Sequence, residues 1–360
     1  MRSLSFKRLR KARPTSVVPA AMTLAVLAVA LSGCTGFINN NPDFRWFLFS
    51  HFGVTKLCPE MVKQGVPIKV DEGAPASGRF FPNQCSVAVD DARHVVVVNV
   101  AGSGYGFVAP AKRVGFTLST AVEYRPDFTL AGPDTYLYAK MNRVVGGPDF
   151  RMTHAENPVI GLFGALPVVG GATNVLGQEV VMRALTQGFT VIHNEDRGND
   201  FALGILRPPQ RPHHPFNVSR SDRFTFANET TDVPAGERDF LGPFEVGNDG
   251  KGLFVSLQVQ GPGVSVIIVD KQTGDAWRGM YETGKALWPV PGRVMSDTPV
   301  AAGGADARTY PLYPGQYYVV IDNTRGSSGL LPSVLNPFGI GMGNTGMGTA
   351  RVSVVAQRAD

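Results

Sequence analysis

The chain has little cysteine and little charge, and neither sign of charge is in excess once its first residues are set aside. It holds 3 cysteines among 360 residues, and 18% of its residues are Asp, Glu, Lys or Arg. Six cations and no acid lie within the first 13 residues, and beyond them 28 Lys and Arg face 29 Asp and Glu. A basic surface able to neutralise several phosphates is therefore missing, so nucleic acid is not an expected partner.

Motifs for catalysis and metal binding are also missing. The sequence contains no G-x-S-x-G, HExxH or S-x-x-K pattern, and no histidine stands at ligand spacing from a cysteine. The glycine-rich run Gly102-Ser-Gly-Tyr-Gly106 has a misplaced third glycine and no helix pattern after it. We interpret this run as a β-turn or bulge, not a dinucleotide site. No catalytic residue, cofactor or metal ion is predicted.

Beyond residue 34, no apolar run is long enough to cross a bilayer. The longest, Pro158–Gly171, has 14 residues and is interrupted by two prolines and four glycines. It is either a buried loop or the lining of an apolar cavity, and the sequence does not separate the two.

The start of the chain has the layout of a secretory signal peptide. An apolar run from near Val17 follows the six cations, and small residues follow the run. The run ends in Leu31-Ser32-Gly33-Cys34, which resembles the bacterial lipobox at every position. The resemblance implies cleavage before Cys34 and acylation of Cys34, for example by palmitate, so that its acyl chains hold the protein on a membrane. Thr35, where an inner-membrane lipoprotein of enterobacterial type has Asp, points to the outer membrane.

Two alternatives to a lipobox remain: a plain secretory peptide, or an uncleaved anchor with an incidental cysteine. Export also bears on the other two cysteines, Cys58 and Cys85. In an oxidising envelope an isolated pair is more often bridged than free, so we predict one disulfide between them. Two buried thiols are the alternative.

The residues from 43 to 206 predict an α+β domain, an antiparallel meander with one long helix. The strand candidates are His94–Val100, Arg113–Val122, Asp134–Lys140 and a hairpin of Phe189–His193 with Asp200–Leu206, separated by turn signals at Asp90-Asp91, Gly132-Pro133-Asp134 and Gly146-Gly147-Pro148-Asp149. Asn174 and Gly188 have the residue types of a helix start and a helix end, with apolar residues at helical spacing between them.

A run with four prolines, residues 207–215, reads as a stiff connector. Beyond it the pattern is short strands and Gly/Pro-rich loops without a helical period, which predicts an all-β sandwich. The strand candidates are Arg223–Ala227, Gly242–Val246, Leu253–Val259, Val264–Asp270, Tyr317–Asp322 and Arg351–Ala356. We therefore expect a signal peptide at 1–33, a lipid-anchored tether at 34–42, the α+β domain at 43–206, the linker at 207–215 and the sandwich at 216–360.

The second half also resembles, weakly, the bacterial pre-peptidase C-terminal type of β-sandwich. The residues that carry the resemblance are Asp239-Phe-Leu-Gly-Pro-Phe-Glu-Val246 and Leu312-Tyr-Pro-Gly-Gln-Tyr-Tyr-Val-Val-Ile-Asp322, together with the strand pair around Gly261-Pro-Gly263. Such modules usually accompany other secreted domains and lack catalytic residues.

Several polar and aromatic groups are weak site candidates. They are the linker pair His213 and His214; the hairpin cluster His193, Glu195, Asp196 and Asp200; the strand-end carboxylates Asp249, Asp270, Asp275 and Asp322, which could gather calcium; and the aromatics Trp277, Tyr281, Trp288, Tyr310, Tyr313, Tyr317 and Tyr318, which could stack on sugars. For each, solvated side chains or core packing is the expected alternative.

The function class that these observations favour is a membrane-anchored envelope lipoprotein with a non-enzymatic binding or structural role. Lipid or another apolar molecule is the expected ligand. Two other functions stay open: a hydrolase with a site assembled from distant residues, and a glycan-binding surface module. A largely apolar cavity would favour lipid binding. Convergent carboxylates or a Ser–His pair would favour the hydrolase, and an exposed row of aromatic rings would favour glycan binding.

Overall fold

The computed structural model describes residues 35–108, 112–156, 186–218, 223–248, 250–287, 289–324 and 348–359. The described part of the protein is mostly β-sheet, with 57% of the described residues in strands. Its strands are β1 Val66–Pro67, β2 Gly78–Asp90, β3 Val95–Val108, β4 Lys112–Ala131, β5 Asp134–Ala155, β6 Phe189–Asn194, β7 Gly198–Leu203, β8 Thr225–Val233, β9 Arg238–Val246, β10 Gly252–Gln260, β11 Val264–Asp270, β12 Val294–Val300, β13 Ala305–Pro311, β14 Gly315–Asp322 and β15 Ala350–Ala359.

The strands form two sheets. One has eleven strands in the order β1-β2-β3-β4-β5-β6-β7-β8-β15-β10-β13, and the other has four in the order β12-β11-β14-β9. Consecutive strands from β2 to β7 pair antiparallel, as the predicted meander requires. In the large sheet, β7 of the first half pairs parallel with β8 of the second at Gly198 and Thr225, and an isolated parallel bridge joins Ala76 to Thr231.

Helices cover one face of the meander. α1 spans Pro42–Leu48, a π-helical turn spans Phe49–Gly53, and α2 spans Val54–Met61. Trp46 and Phe49 are buried against Val96, Val98 and other valines and tyrosines of the sheet. The helical segment is therefore held to the sheet by its inward aromatic side chains.

Three strands of the four-stranded sheet, β9, β11 and β14, are buried on both faces. β11 is apolar at successive positions: Val266 and Ile268 face β10 and β15 of the large sheet, whereas Ile267 and Val269 face the opposite way. A strand covered on both sides needs no polar alternation, which explains its continuous Val/Ile run. The second face is covered by a helix, α3 Lys271–Glu282, and by Phe81 and Tyr105 from the first half.

Helix α3 corrects the expectation that the second half contains no helix. Asp270 ends β11 and caps the helix, because its Oδ1 accepts a hydrogen bond from Thr273 N at 2.7 Å. Trp277 and Tyr281 lie one turn apart on the buried side. Gly274 and Gly279 interrupt the apolar pattern, and this hides the helical period in the sequence.

Other element boundaries also differ from the predictions. Gly102–Gly106 lies inside β3, not in a turn, but the pairing with β2 shifts register opposite Gly102, in line with the bulge alternative. Gly146-Gly147-Pro148-Asp149 lies inside β5, where the pairing with β4 changes register. A Cβ on Gly102 would come within 2.2 Å of Phe81 O, so these glycines permit close strand approach. β12 and β13 were not among the predicted strands. The predicted helix from Asn174 lies outside the described residues, although Gly188 at its expected end has a φ of 68°.

Candidate functional site

A polar cleft lies beneath the proline-rich connector, where the two halves meet. Its volume is about 90 Å³, and since one water needs about 10–15 Å³, it has room for several waters or a small polar group. The charged and imidazole side chains that line it are Lys69, Glu72, Arg79, Asp200, His213, His214 and Glu229. Convergent polar groups in a concave site make this cleft the leading binding-site candidate.

His214 connects both halves inside the cleft. Its Nδ1 lies 2.7 Å from the carbonyl oxygen of Asn228 on β8, so Nδ1 carries a proton and donates it. Its Nε2 lies 3.4 Å from Asp200 Oδ1 on β7. Burial lowers the pKa of His214, but the Asp200 carboxylate outweighs burial and the pKa lies above its ordinary value. The expected solvated histidine pair is thus wrong for His214, whereas His213 is exposed.

Glu72 supplies the complementary polar group. Its Oε2 accepts a hydrogen bond from Leu203 N at 2.8 Å. Its Oε1 is buried without a hydrogen-bond partner in the ranges that the structure describes, whereas His214 Nε2 is ion-paired with Asp200 at 3.4 Å. An unpaired acceptor in the wall of the cleft suits a small polar donor or ordered water.

One wall of the cleft is a buried ion-pair network. Arg79 on β2 donates to Asp239 Oδ1 at 3.1 Å and Oδ2 at 2.8 Å, and to Glu229 Oε1 at 2.5 Å. Tyr105 OH donates to Asp239 Oδ1 at 2.6 Å and accepts from Phe240 N at 2.7 Å. Although burial raises the pKa of Asp239, the guanidinium of Arg79 holds it below its ordinary value. These charges satisfy one another, which marks a structural junction between the halves.

A second buried cluster lies near the end of α3, around Tyr281. Glu237 Oε2 accepts from Tyr281 OH at 2.5 Å and from Arg113 Nη1 at 2.7 Å, and the Arg113 guanidinium lies 4.2 Å from the Tyr281 ring centre. Burial first, and a hydrogen bond to the Glu156 carboxyl second, raise the pKa of Glu237 to about 7. Glu237 and Tyr281 are buried, so this pair is not accessible to a substrate.

Among the described residues that line the cleft, no hydrolase site is assembled. Glu229 is bound by Arg79, and Asp200 is shared by His214 and Arg211, with Arg211 Nη1 at 3.6 Å. The hydroxyl of Thr225 in the cleft wall accepts from Gln357 Nε2 at 3.0 Å. Each carboxylate and hydroxyl in this wall already has a structural partner, apart from Glu72 Oε1.

A small apolar crevice lies under helix α2 on the meander. Its volume is about 20 Å³, and Leu57, Met61, Tyr124 and Phe189 are among its lining residues. Neither this crevice nor the polar cleft has room for an acyl chain. The apolar segment 158–171, on which the lipid hypothesis rests, lies outside the described residues.

The other candidate residues do not converge. His193 Nδ1 contacts Asn199 Oδ1 at 2.7 Å on the hairpin surface. Asp270 is a helix cap, Asp275 accepts from Tyr318 OH at 2.7 Å, and the buried Asp322 lies 3.3 Å from Arg238 Nε. Asp249 is outside the described residues. Within the described ranges, no group of three or more His, Cys, Asp or Glu side chains is placed to hold a metal.

The aromatic residues considered for sugar stacking pack mainly inward. Trp277, Tyr281, Tyr310, Tyr317 and Tyr318 are buried, and Tyr313 is exposed. Trp288 is not among the described residues. No row of exposed rings is formed by the described members of this set.

Cys58 and Cys85 lie at disulfide distance, with Cα atoms 5.3 Å apart. They join helix α2 to β2. The lipobox, including Cys34, lies outside the described residues, and within those ranges no helix combines 18 or more residues with sustained apolar character.

Sequence reasoning missed Arg79, Tyr105, Glu229 and Glu237, which form the two buried networks. The available signal was a charged residue at an inward position of an otherwise apolar strand, as in Gly78-Arg79-Phe80-Phe81. That signal identifies an unusual position but not its partner, because the partners of Arg79 are 150 and 160 residues away.

No family model and no curated protein matches this chain. Among solved structures, it has a distant similarity to a glycoside hydrolase family 43 arabinoxylan arabinofuranohydrolase from Bacillus subtilis, crystallised with cellotetraose. The identity is 12% and the TM-score 0.22; the match covers 77% of this chain and 66%, just under two thirds, of that one.

Proposed function

We propose that the protein is an envelope lipoprotein, anchored through acyl chains on Cys34, with a non-enzymatic binding or structural role. The observation that carries the proposal is Leu31-Ser32-Gly33-Cys34 after a cationic and apolar leader. Thr35 in place of Asp supports the outer membrane as its location.

The described structure supports a fixed body close to this anchor. Residues 35–40 are helical, and Asn39 exchanges two hydrogen bonds of 2.9 Å with the Leu130 backbone on β4. The body therefore begins within a few residues of Cys34, so an acylated chain would sit against the bilayer surface.

For the binding role, we propose the polar cleft as the site and a small polar molecule as its ligand. The unpartnered Glu72 Oε1 supports this choice. The lipid or apolar ligand expected from the sequence remains a hypothesis that depends on residues 158–171. Native mass spectrometry of the full secreted chain would detect a co-purifying molecule of either kind.

We also propose the finer architecture: an α+β first half and a C-terminal β-sandwich of the pre-peptidase C-terminal type. The apolar core shared by the four-stranded sheet with β8, β10, β13 and β15 supports the sandwich. Helix α3 is an addition to it.

The anchor is tested by Cys34→Ala in the full precursor, followed by membrane fractionation and intact mass. We expect the variant to move from the membrane to the soluble fraction and to lose the mass of the acyl chains. Thr35→Ser is the matched control and should remain acylated. An unchanged mass and an unchanged distribution for Cys34→Ala would contradict the lipobox.

A further inference from the structure

The helical segment after Cys34 carries two sets of aromatic rings, and only one set is buried. Trp46 and Phe49 pack into the meander core. Phe37, Phe47 and Phe52 instead expose 58%, 47% and 64% of their surface. Three large apolar side chains exposed within 16 residues form a patch that needs an explanation.

The exposed rings are joined into one continuous strip through Phe44, which is half-buried. Phe37 lies 5.5 Å from Phe44, Phe44 lies 6.2 Å from Phe47, Phe47 lies 4.3 Å from the His51 ring, and His51 lies 6.5 Å from Phe52. We call these five residues the aromatic strip. None of the five carries a permanent charge.

The strip is held in place by the body and cannot fold inward. Arg45 Nε donates to Asp127 Oδ1 at 2.6 Å, and Trp46 Nε1 donates to Asp91 Oδ1 at 3.0 Å. The side chain of Asn41 caps α1 by accepting from Phe44 N at 3.0 Å. Burial of Trp46 on one side of the helix therefore fixes Phe47 on the other side.

We infer that the aromatic strip docks into the surface of the same bilayer that holds the acyl chains of Cys34. Phe37 is three residues from Cys34, and three residues span at most about 11 Å. A residue tethered so closely to acyl chains must remain at the membrane–water interface. Exposed aromatic rings are the side chains that this interface favours.

This inference rests on the proposed anchor, but it adds a second contact that fixes the orientation of the body. Acyl chains alone allow the body to swivel about residue 34. A strip from Phe37 to Phe52 would lay the helices flat on the membrane and hold the meander above them.

The test uses the mature chain carrying Cys34→Ala, so that acylation plays no part in it. Phe52→Trp is the reporter, and Tyr313→Trp, at a site 84% exposed in the second half, is the matched control. Both are mixed with phosphatidylethanolamine and phosphatidylglycerol vesicles that contain brominated lipid. In the Phe52→Trp variant we expect tryptophan quenching above the background given by the native tryptophans. In the Tyr313→Trp variant we expect no quenching above that background.

A loss-of-function variant measures the strength of the contact. Phe37→Ser, Phe47→Ser and Phe52→Ser together should lower vesicle partitioning by on the order of tenfold or more. The control with Val145→Ser and Tyr313→Ser should leave partitioning unchanged. Thermal unfolding by circular dichroism verifies that both remain folded.

Equal quenching of the two reporters would overturn the inference, and so would concentration-dependent dimerisation that the triple variant abolishes, since the strip would then bind a second copy. The anchor is judged separately, by the intact mass of wild-type protein. An acylated protein with an unquenched Phe52→Trp keeps the proposed function and rejects the strip.

Discussion

At the residue scale, Arg79 has the strongest structural role among the described charges. It is buried with two carboxylates, and Tyr105 completes the hydrogen bonding of Asp239. A buried charge is tolerated only when its partners are present, since desolvation of an isolated ion is costly. The network therefore links β2 and β3 to β8 and β9 at one specific alignment of the two halves.

Arg79→Met should destabilise the protein by about 3–5 kcal/mol, because Asp239 and Glu229 would remain buried without a cation. Urea unfolding followed by tryptophan fluorescence measures the change. Arg351→Met is the control, since the Arg351–Asp232 pair lies on the surface with Arg351 51% exposed. That control should cost no more than about 1 kcal/mol. A similar cost for both variants would contradict the structural role of the network.

Glu237 predicts a pH dependence of stability. Its pKa is raised from an ordinary value of 4.5 to about 7, so the folded protein holds a proton that the unfolded chain releases. This stabilisation is complete below about pH 4.5 and is lost as the pH rises to about 7. Melting temperatures of the wild type should fall across this window, and those of Glu237→Gln, which retains the neutral form, should fall less.

The contribution of His214 to stability is lost in a higher pH window than that of Glu237, so the two contributions can be distinguished. Its raised pKa gives stabilisation that is present below about 6.5 and is lost above that pH. Glu237→Gln should therefore retain a decline above pH 6.5, and His214→Gln should retain the decline below it. Identical pH profiles for the two variants would contradict the assignment of the two groups.

At the element scale, the helices after Cys34 depend on long-range attachment. The run Pro42–Met61 is helical throughout, with a π-helical turn at Phe49–Gly53, and most of the stability of such a helix comes from tertiary packing of its apolar side. Trp46, the Arg45–Asp127 ion pair and the Cys58–Cys85 pair attach them to the sheet. These attachments keep the aromatic strip on the outer face.

The disulfide is a prediction that peptide mapping decides. Non-reducing digestion of exported protein should yield a linked peptide that contains Cys58 and Cys85. Replacing both residues by serine should cost about 3–4 kcal/mol on the loop-entropy estimate. Free thiols at both positions, or an unchanged unfolding midpoint, would contradict the prediction.

At the scale of the whole molecule, the connector, residues 207–215, is held by contacts with both halves of the chain. Arg211 pairs with Asp134, Tyr136 OH donates to the carbonyl oxygen of Gln210 at 3.1 Å, and His214 contacts β7 and β8. Residues 207, 209–211 and 213 are nevertheless exposed. The connector therefore combines anchored side chains with an accessible backbone.

The two-domain division predicts cleavage in this connector by a protease of broad specificity. After cleavage the two fragments should still co-elute in size-exclusion chromatography, because the Arg79 network and the Phe81–Tyr318 contact hold them together. Arg79→Met is the comparison variant, and its two fragments should separate at a lower urea concentration than the fragments of the wild type. Fragments that separate without denaturant would contradict a stable junction.

Local pattern alone determined part of this protein. The β-rich character, the meander and the strand Val264–Asp270 are encoded within short windows, where side-chain period suffices. The sequence also predicts the pairing of Cys58 with Cys85, because it contains no other cysteine after Cys34.

Only the tertiary structure decided which side chains face inward. Trp46 and Phe47 are neighbours of similar hydrophobicity, yet one is buried and the other is 47% exposed, because the sheet lies on one side of the helix. Arg79 is buried because Glu229 and Asp239 come from strands far along the chain. Such outcomes depend on strand register and layer packing, and no short window of sequence contains that information.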